Sequence, residues 1–378
     1  MYWKKQECSL KYDTERHDIL NSAITILLTI LVFGVIIMIH ELGHFIVAKL
    51  CGVRVLEFSM GMGPAIFTHQ KKSEEMELDP ETGTMMPVNR NTKYSVRILP
   101  IGGYVSMEGE DSASKDERAF CNKPIWKRFL IVVAGAVMNL LLGFLILVGA
   151  VSTMEHVPTK QIASFQENAA SQAAGLAVGD EILKVNGHST LTYDDVITEI
   201  LSDDDGTVDF QIKRDGTVQN IEKVTFYTEI TDSKRELDID FKLLAVENSV
   251  GGTLSYSAGR AVSLGKLVWV SLGDLVTGKV GFDQLSGPVG VGEALGQAAS
   301  ISVMNLLILI AFLTINVGIF NLLPIPALDG GRLIFILIEA IFRKPVPAKY
   351  EGLIHAVGLL FLFGLMIIVT LKDIIRLF

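Results

Sequence analysis

Four apolar runs, each close to the length of a membrane span, set most of what this 378-residue chain can fold into. They cover about Ile19 to Leu50, Phe129 to Val151, Ile301 to Leu323 and Leu353 to Leu371. A helix needs about 20 apolar residues to cross the hydrocarbon, and a lone segment there must satisfy its own backbone hydrogen bonds. A hydrophobic content of 49% beside only 20% charged residues fits a membrane protein carrying a soluble part. The first run is too long for a cleaved signal peptide, and no small-residue cleavage site follows it. The net charge of -9 comes without a basic block, which argues against a nucleic-acid partner. Cys8, Cys51 and Cys121 lie far apart and form no CxxC, so neither a disulfide framework nor a cysteine-bound metal is expected.

The segments between the runs differ in kind. "VRVLEFSMGMGPAIF" and "YSVRILPIGGYVSMEGE" alternate apolar and polar residues with Gly and Pro punctuation, and read as strands and turns. The polar stretch between them reads as an exposed loop, 69–93. Between the second and third runs, about Glu155 to Gly251 has the composition of a small soluble α/β domain. In it "FQIKRDGTVQNIEKVTFYT" reads as two strands around an Asp215-Gly216 turn. The expected order is a tail (1–18), a first span (19–50), a membrane-associated β-strand and loop region (51–128), a second span (129–152) and the α/β domain (153–250). An amphipathic membrane-surface segment (251–300), a third span with its following loop (301–352) and a fourth span (353–378) complete it. Four spans place both termini on one side, and the Lys/Arg balance near the helix ends leans towards termini outside.

The first span contains "HELGH". His40 and His44, at i and i+4, share one helix face, with Glu41 beside the first. HExxH on a helix is an arrangement that binds zinc through two histidines and leaves the glutamate as general base. Ionisable groups in hydrocarbon are costly, so they point to a site with a partner. A catalytic zinc takes a third protein ligand. Glu57 is one candidate, in the strand-like segment after the span. Asp329 is another: "NLLPIPALDGGRL" ends the third span, its prolines break the helix, and broken backbone at membrane depth must line a protein cavity. Asp329 also reads as a helix N-cap.

Together these stretches resemble the site-2 protease family of intramembrane zinc metalloproteases, in its bacterial RseP/RasP-like branch. The matches are "HELGH", "GMGP" at 61–64, "LPIGGYV" at 99–105, "AGAVMN" at 134–139, "SGPVGV" at 286–291 and "INVGIFNLLPIPALDGG", in the family's order over nearly the whole chain. The resemblance implies that His40, His44 and Asp329 hold one Zn2+ and that Glu41 activates the water. It implies that Asn316, Asn321, Pro324 and Pro326 bind substrate backbone. Through "AAGLAVGDEILKVNG" the middle domain resembles a PDZ domain, and only one is evident. Ala136 stands where the family often has Pro, and the polar loop after "GMGP" is longer than usual.

The expected fold is therefore a polytopic α-helical membrane protein with about four transmembrane helices, a membrane-associated β region and an inserted α/β PDZ domain. The expected activity is regulated intramembrane proteolysis of single-pass membrane proteins, such as anti-sigma factors or remnant signal peptides. The family implies a bacterial inner membrane, the PDZ domain outside and the zinc site near the cytoplasmic side. The β region from Val53 to Glu110 is expected to pair an unwound substrate with its edge. The alternative is a PDZ-bearing membrane adaptor or chaperone with a structural metal. Lipid is a partner in either case, and the sequence leaves the oligomeric state open.

Overall fold

The structure is a computed structural model. It describes residues 2–72, 76–78, 85–87, 89–110, 112–203, 205–231, 234–279, 281 and 285–376, with the side chains of most of these from residue 23 onward. In chain order the elements are α1 (Tyr2–Leu50), β1 (Val55–Gln70), β2 (Met76–Leu78), β3 (Met85–Pro87), β4 (Lys93–Met107), α2 (Ile125–Ser152), β5 (His156–Phe165), α3 (Ala170–Ala173), β6 (Glu181–Val185) and β7 (His188–Ser189). There follow α4 (Tyr193–Leu201), β8 (Thr207–Arg214), β9 (Thr217–Thr225), β10 (Tyr227–Thr231), β11 (Lys234–Asp238), β12 (Phe241–Glu247), α5 (Val250–Thr277), α6 (Pro288–Ile301), α7 (Val303–Leu322), α8 (Asp329–Phe342) and α9 (Ala348–Arg376). Among the described residues, four helical stretches are long and apolar enough to cross a membrane: Ala23–Leu50, Ile125–Ser152, Val303–Leu322 and Lys349–Arg376. The chain divides into two compact units, one of residues 1–143 with 274–378 and one of residues 144–273.

In the first unit, a core of Val32, Ile36 and Leu295 with Leu306, Leu309 and Ile310 joins α1, α6 and α7. A second core, containing Ala48, Val55, Val105, Ile131, Val132, Leu333 and Ile336, joins the end of α1 to β1, β4, α2 and α8. Arg128 grips Glu339 through both guanidinium nitrogens, at 3.0 and 2.5 Å, and so ties α2 to α8. The two long strands are each bent. Residues 93–97 of β4 pair with both 57–60 and 65–70 of β1, while 103–107 pair with 55–60. The result is a ribbon of four short legs, and Gly61 and Gly102, both at positive φ, occur where the legs turn.

Asp373, near the end of α9, is buried and accepts the backbone N–H groups of Gly287 (2.8 Å) and Gly290 (2.9 Å) at the start of α6. The carboxylate caps donors that Pro288 leaves at the helix start and faces the positive end of the helix dipole.

The second unit holds an antiparallel sheet in the order β12-β5-β6-β8-β9, with β7 on β6. Its core includes Ile162, Ile182, Val196, Ile200, Phe210, Phe226 and Phe241. The turn between β8 and β9 falls at Asp215-Gly216, both at positive φ, as the sequence pattern predicts. Thr192 and Asp195 form a capping box on α4.

Three boundaries differ from the sequence reading. Residues assigned to a tail continue the helix α1 from Tyr2. The stretch after the third span is not all loop, because α8 resumes at Asp329, where the doubled glycine follows the prolines. The segment 251–300 is two helices, and α5 buries Thr253, Ser257 and Ser263. Its Tyr256 and Ser263 hydroxyls donate to Asp194 and Asp195 of α4 at 2.7 Å, and Lys266 meets Glu199 at 3.0 Å. Small polar residues that read as a weak amphipathic stripe are thus a docking face for α4. The expected loop 69–93 contains the β2–β3 ribbon, and the rest of its centre lies outside the described residues.

Candidate metal centre

The helix α1 carries His40, Glu41 and His44 on the turns that face α2 and α8. Gly43 and Gly135 let α1 and α2 come close: a Cβ on Gly43 would lie 2.4 Å from the Ala134 carbonyl oxygen, and one on Gly135 would lie 2.4 Å from His44 Nε2. Small residues at helix crossings are how membrane helices approach each other, and here Gly135 also leaves room beside both imidazoles. The broken backbone of 323–328 turns the chain back, so that Asp329, the first residue of α8, meets the two histidines.

His40 Nε2, His44 Nε2 and Asp329 Oδ2 form a nearly equilateral triangle. The edges are 3.2 Å between the histidines, 3.0 Å from His40 to Asp329 and 3.2 Å from His44 to Asp329. The protonation pattern follows from the second ring nitrogens. His44 Nδ1 lies 2.8 Å from the Ile131 carbonyl oxygen, which can only accept, so Nδ1 carries the proton and Nε2 turns a lone pair inward. His40 Nδ1 lies 3.4 Å from the Asn139 amide, whose buried Oδ1 has no protein partner among the described residues. Turning that amide over, which exchanges two nearly indistinguishable atoms, gives His40 Nδ1–H an acceptor and likewise frees Nε2.

Three electron-rich atoms at this spacing repel unless a cation lies among them. Asp329 Oδ2 is correspondingly buried without a hydrogen-bond donor among the described residues. Two imidazoles and a carboxylate are a donor set that suits zinc, whose tetrahedral bonds of about 2.0–2.1 Å set ligands about 3.3 Å apart. A protein acceptor on each distal Nδ1–H is the usual support of such ligands. These three residues form a group able to hold a metal ion.

The cavity beside the group has a volume of about 410 Å³. Its wall includes Glu41, His44, Asp329, Arg332 and the β4 leg from Tyr104 to Met107. Glu41 thus shares one cavity with His44 and Asp329. Glu110 pairs with Arg332 across the wall, so neither charge is left bare in the cavity.

The other sequence candidates fall elsewhere. Glu57 is engaged within the ribbon, accepting from Ser95 at 2.6 Å and Arg97 at 2.8 Å, with Lys93 at 3.7 Å. Asn316 and Asn321 are half-buried on α7, Pro324 is exposed and Pro326 half-buried in the break, and none of the four lines the cavity. The lining there is instead Ala327, Leu328 and Asp329. Asn139 and Gly135 were not singled out from the sequence. Both lie in "AGAVMN", and a buried amide within an otherwise apolar span was the available signal.

The comparisons agree with this geometry. The model of peptidase family M50 matches residues 28–80 and 84–365. A Clostridium acetobutylicum protein named for zinc metalloprotease activity is 36% identical, over 94% of this chain and 98% of its own length. The regulator of sigma-W protease RasP of Bacillus subtilis is 30% identical over 94% of this chain and 99% of its own. The zinc metalloprotease RasP of Bacillus licheniformis is also 30% identical, with the same coverage. With the family model matched from within the first span almost to the end of the last, and with relatives aligned over nearly their full length, the chain belongs to peptidase family M50.

Proposed function

We propose that the chain is an intramembrane zinc metalloprotease that hydrolyses single-pass membrane proteins within or near their transmembrane segments. The observation that carries this reading is the triangle of His40 Nε2, His44 Nε2 and Asp329 Oδ2, of which His44 and Asp329 line one cavity with Glu41, and whose two histidines lie on an apolar helix long enough to span a membrane.

In this reading His40, His44 and Asp329 are the ligands. Zinc held there would supply Lewis-acid polarisation of the scissile carbonyl and would lower the pKa of water to about 7. Glu41 takes the proton of the attacking water and delivers it to the leaving nitrogen. His44 and His40 keep their lone pairs inward because Ile131 and Asn139 hold the opposite protons. A substrate helix protects its scissile bonds with its own hydrogen bonds and must be unwound first. The Tyr104–Met107 leg borders the cavity on one side and pairs with β1 on the other, so an extended substrate segment can add to its edge. Asn316, Asn321, Pro324 and Pro326 contribute to substrate binding beside that path.

The names of the relatives, with regulation of sigma-W in one of them, support membrane-anchored regulators such as anti-sigma factors as substrates, alongside remnant signal peptides. The inserted sheet domain is read as a PDZ domain, extracytoplasmic, that excludes substrates still carrying a bulky outer domain. The metal site is then near the cytoplasmic face of the bacterial inner membrane.

The test is cleavage of a single-pass reporter by full-length protein in lipid vesicles. We expect activity that is lost on chelation and restored by added Zn2+, with one zinc per chain by elemental analysis. A protein that binds zinc stoichiometrically but cuts none of a panel of single-pass segments would support the adaptor reading instead.

A further inference from the structure

The turn that carries Asp329 is held by an unexpected residue on the last helix. Within 324–328, Pro324 and Pro326 have no backbone donor. The N–H groups of Ile325 and Leu328 reach the carbonyl oxygens of Leu323 (2.7 Å) and Ile325 (3.2 Å). The remaining donor, Ala327 N–H, goes to a side chain: His355 Nδ1 of α9 accepts it at 2.9 Å. Ala327 itself has a φ of 76°, a left-handed conformation that a residue with a Cβ adopts at a cost. It lines the cavity, two residues before Asp329.

The helix α9 is shaped for this contact. Leu353, Ile354, Val357, Leu360 and Phe361 are exposed, as expected of a face turned to lipid. His355 and Gly358, three residues apart, lie on the other face. A Cβ on Gly358 would come within 2.4 Å of Pro326 Cβ and 2.7 Å of its carbonyl oxygen, so the backbone of α9 rests directly on the turn. The ring of His355 also packs on Phe335 of α8, with centroids 5.7 Å apart. An imidazole in a membrane-spanning helix is costly unless it has work to do, and here its ring nitrogen meets a backbone donor that the prolines have isolated.

We infer that His355 is a positioning residue: its Nδ1 holds the Ala327 N–H and thereby fixes the strained turn that delivers Asp329 to His40 and His44. The inference rests on the three-ligand reading above. Because Nδ1 accepts, the ring is neutral with its proton on Nε2. An asparagine at 355 can present its Oδ1 near the place of Nδ1, whereas phenylalanine keeps the ring packing and loses the acceptor.

The test measures zinc affinity by chelator competition on full-length protein in detergent, for wild type, His355→Asn, His355→Phe and Asp329→Ala. Thermal unfolding reports whether each variant is folded. We expect His355→Phe to weaken zinc binding about tenfold, the lower end for loss of a support around a metal site, and His355→Asn to stay within about threefold of wild type. The opposite order, with Phe tolerated and Asn impaired, would assign His355 to packing against Phe335 and overturn the inference. Wild-type affinity in both variants would overturn it as well. A His355→Phe chain that does not fold leaves the Asn variant decisive, since an Asn variant that folds and loses zinc contradicts the acceptor role. If Asp329→Ala binds zinc like wild type, the ligand reading fails. If Asp329→Ala loses zinc while His355→Phe does not, only the positioning role fails.

Discussion

Two carboxylates in the first unit compete in the sequence for the role of third ligand, and their surroundings could hardly differ more. Glu57 sits in the bent ribbon with its oxygens already taken by Ser95, Arg97 and Lys93. Asp329 Oδ2 faces two imidazole nitrogens whose protons are held on their far sides, and it receives no donor among the described residues. A carboxylate saturated by protein donors is a structural anchor. One whose lone pairs meet only other lone pairs has been left for a cation. Residue type does not separate the two, whereas the count of donors around each oxygen does.

The comparison breaks most directly at Asp329. Asp329→Ala should remove zinc from the purified protein and abolish cleavage, while Glu57→Ala leaves one zinc per chain, and the reverse pattern in elemental analysis would interchange their roles. Glu41→Gln is the next largest effect. It should lower the cleavage rate by about 10²–10⁴-fold, the range for a general base, with zinc content unchanged. Zinc loss as great as in His44→Ala would make Glu41 a ligand rather than a base. Asn139→Leu, which removes the acceptor behind His40, should weaken zinc binding about 10–100-fold in chelator competition. Unaltered affinity there would mean that His40 needs no support on its distal nitrogen.

The smallest expected effect concerns pH at the saturated site. Burial pushes the Glu57 carboxyl up, but hydrogen bonds from Ser95, Arg97 and Tyr104 and the Lys93 charge outweigh it and hold the group below its ordinary value. A lowered carboxyl contributes stability above its unfolded pKa of about 4.3, and that contribution fades as pH falls through the lower folded value. Hydrogen exchange in the ribbon should therefore be flat from neutral pH to about 5 once corrected for intrinsic rates, and local protection should drop only below about 4.3. Glu57→Gln should remove that acid-dependent drop. An acid-dependent drop that survives in the Gln variant would place the titrating group elsewhere.

How far the sequence carried depends on whether the signal was local. The four spans were legible because twenty apolar residues admit few alternatives, and the HExxH pair because i and i+4 share a face by helix geometry alone. The Asp215-Gly216 hairpin was equally local. What failed was tertiary. The 251–277 stretch reads as an amphipathic helix, but its local pattern does not show that Tyr256, Ser263 and Lys266 meet Asp194, Asp195 and Glu199 of α4. The helix α8 was hidden because the prolines that end α7 also look like the start of a loop. Asn139 and His355 could be seen as odd polar residues in apolar spans, but their partners, His40 and Ala327, lie on other helices and leave no trace in local spacing.

The triangle of His40, His44 and Asp329 draws its corners from segments almost 300 residues apart in the sequence, with Asp329 the later one. The cap on α6 arrives later still, because Asp373 lies among the last residues. A ribosome releases these pieces in order, so a nascent chain carries the HELGH helix long before it carries Asp329 or the turn before it. During that interval the growing polypeptide carries His40, Glu41 and His44 without Asp329.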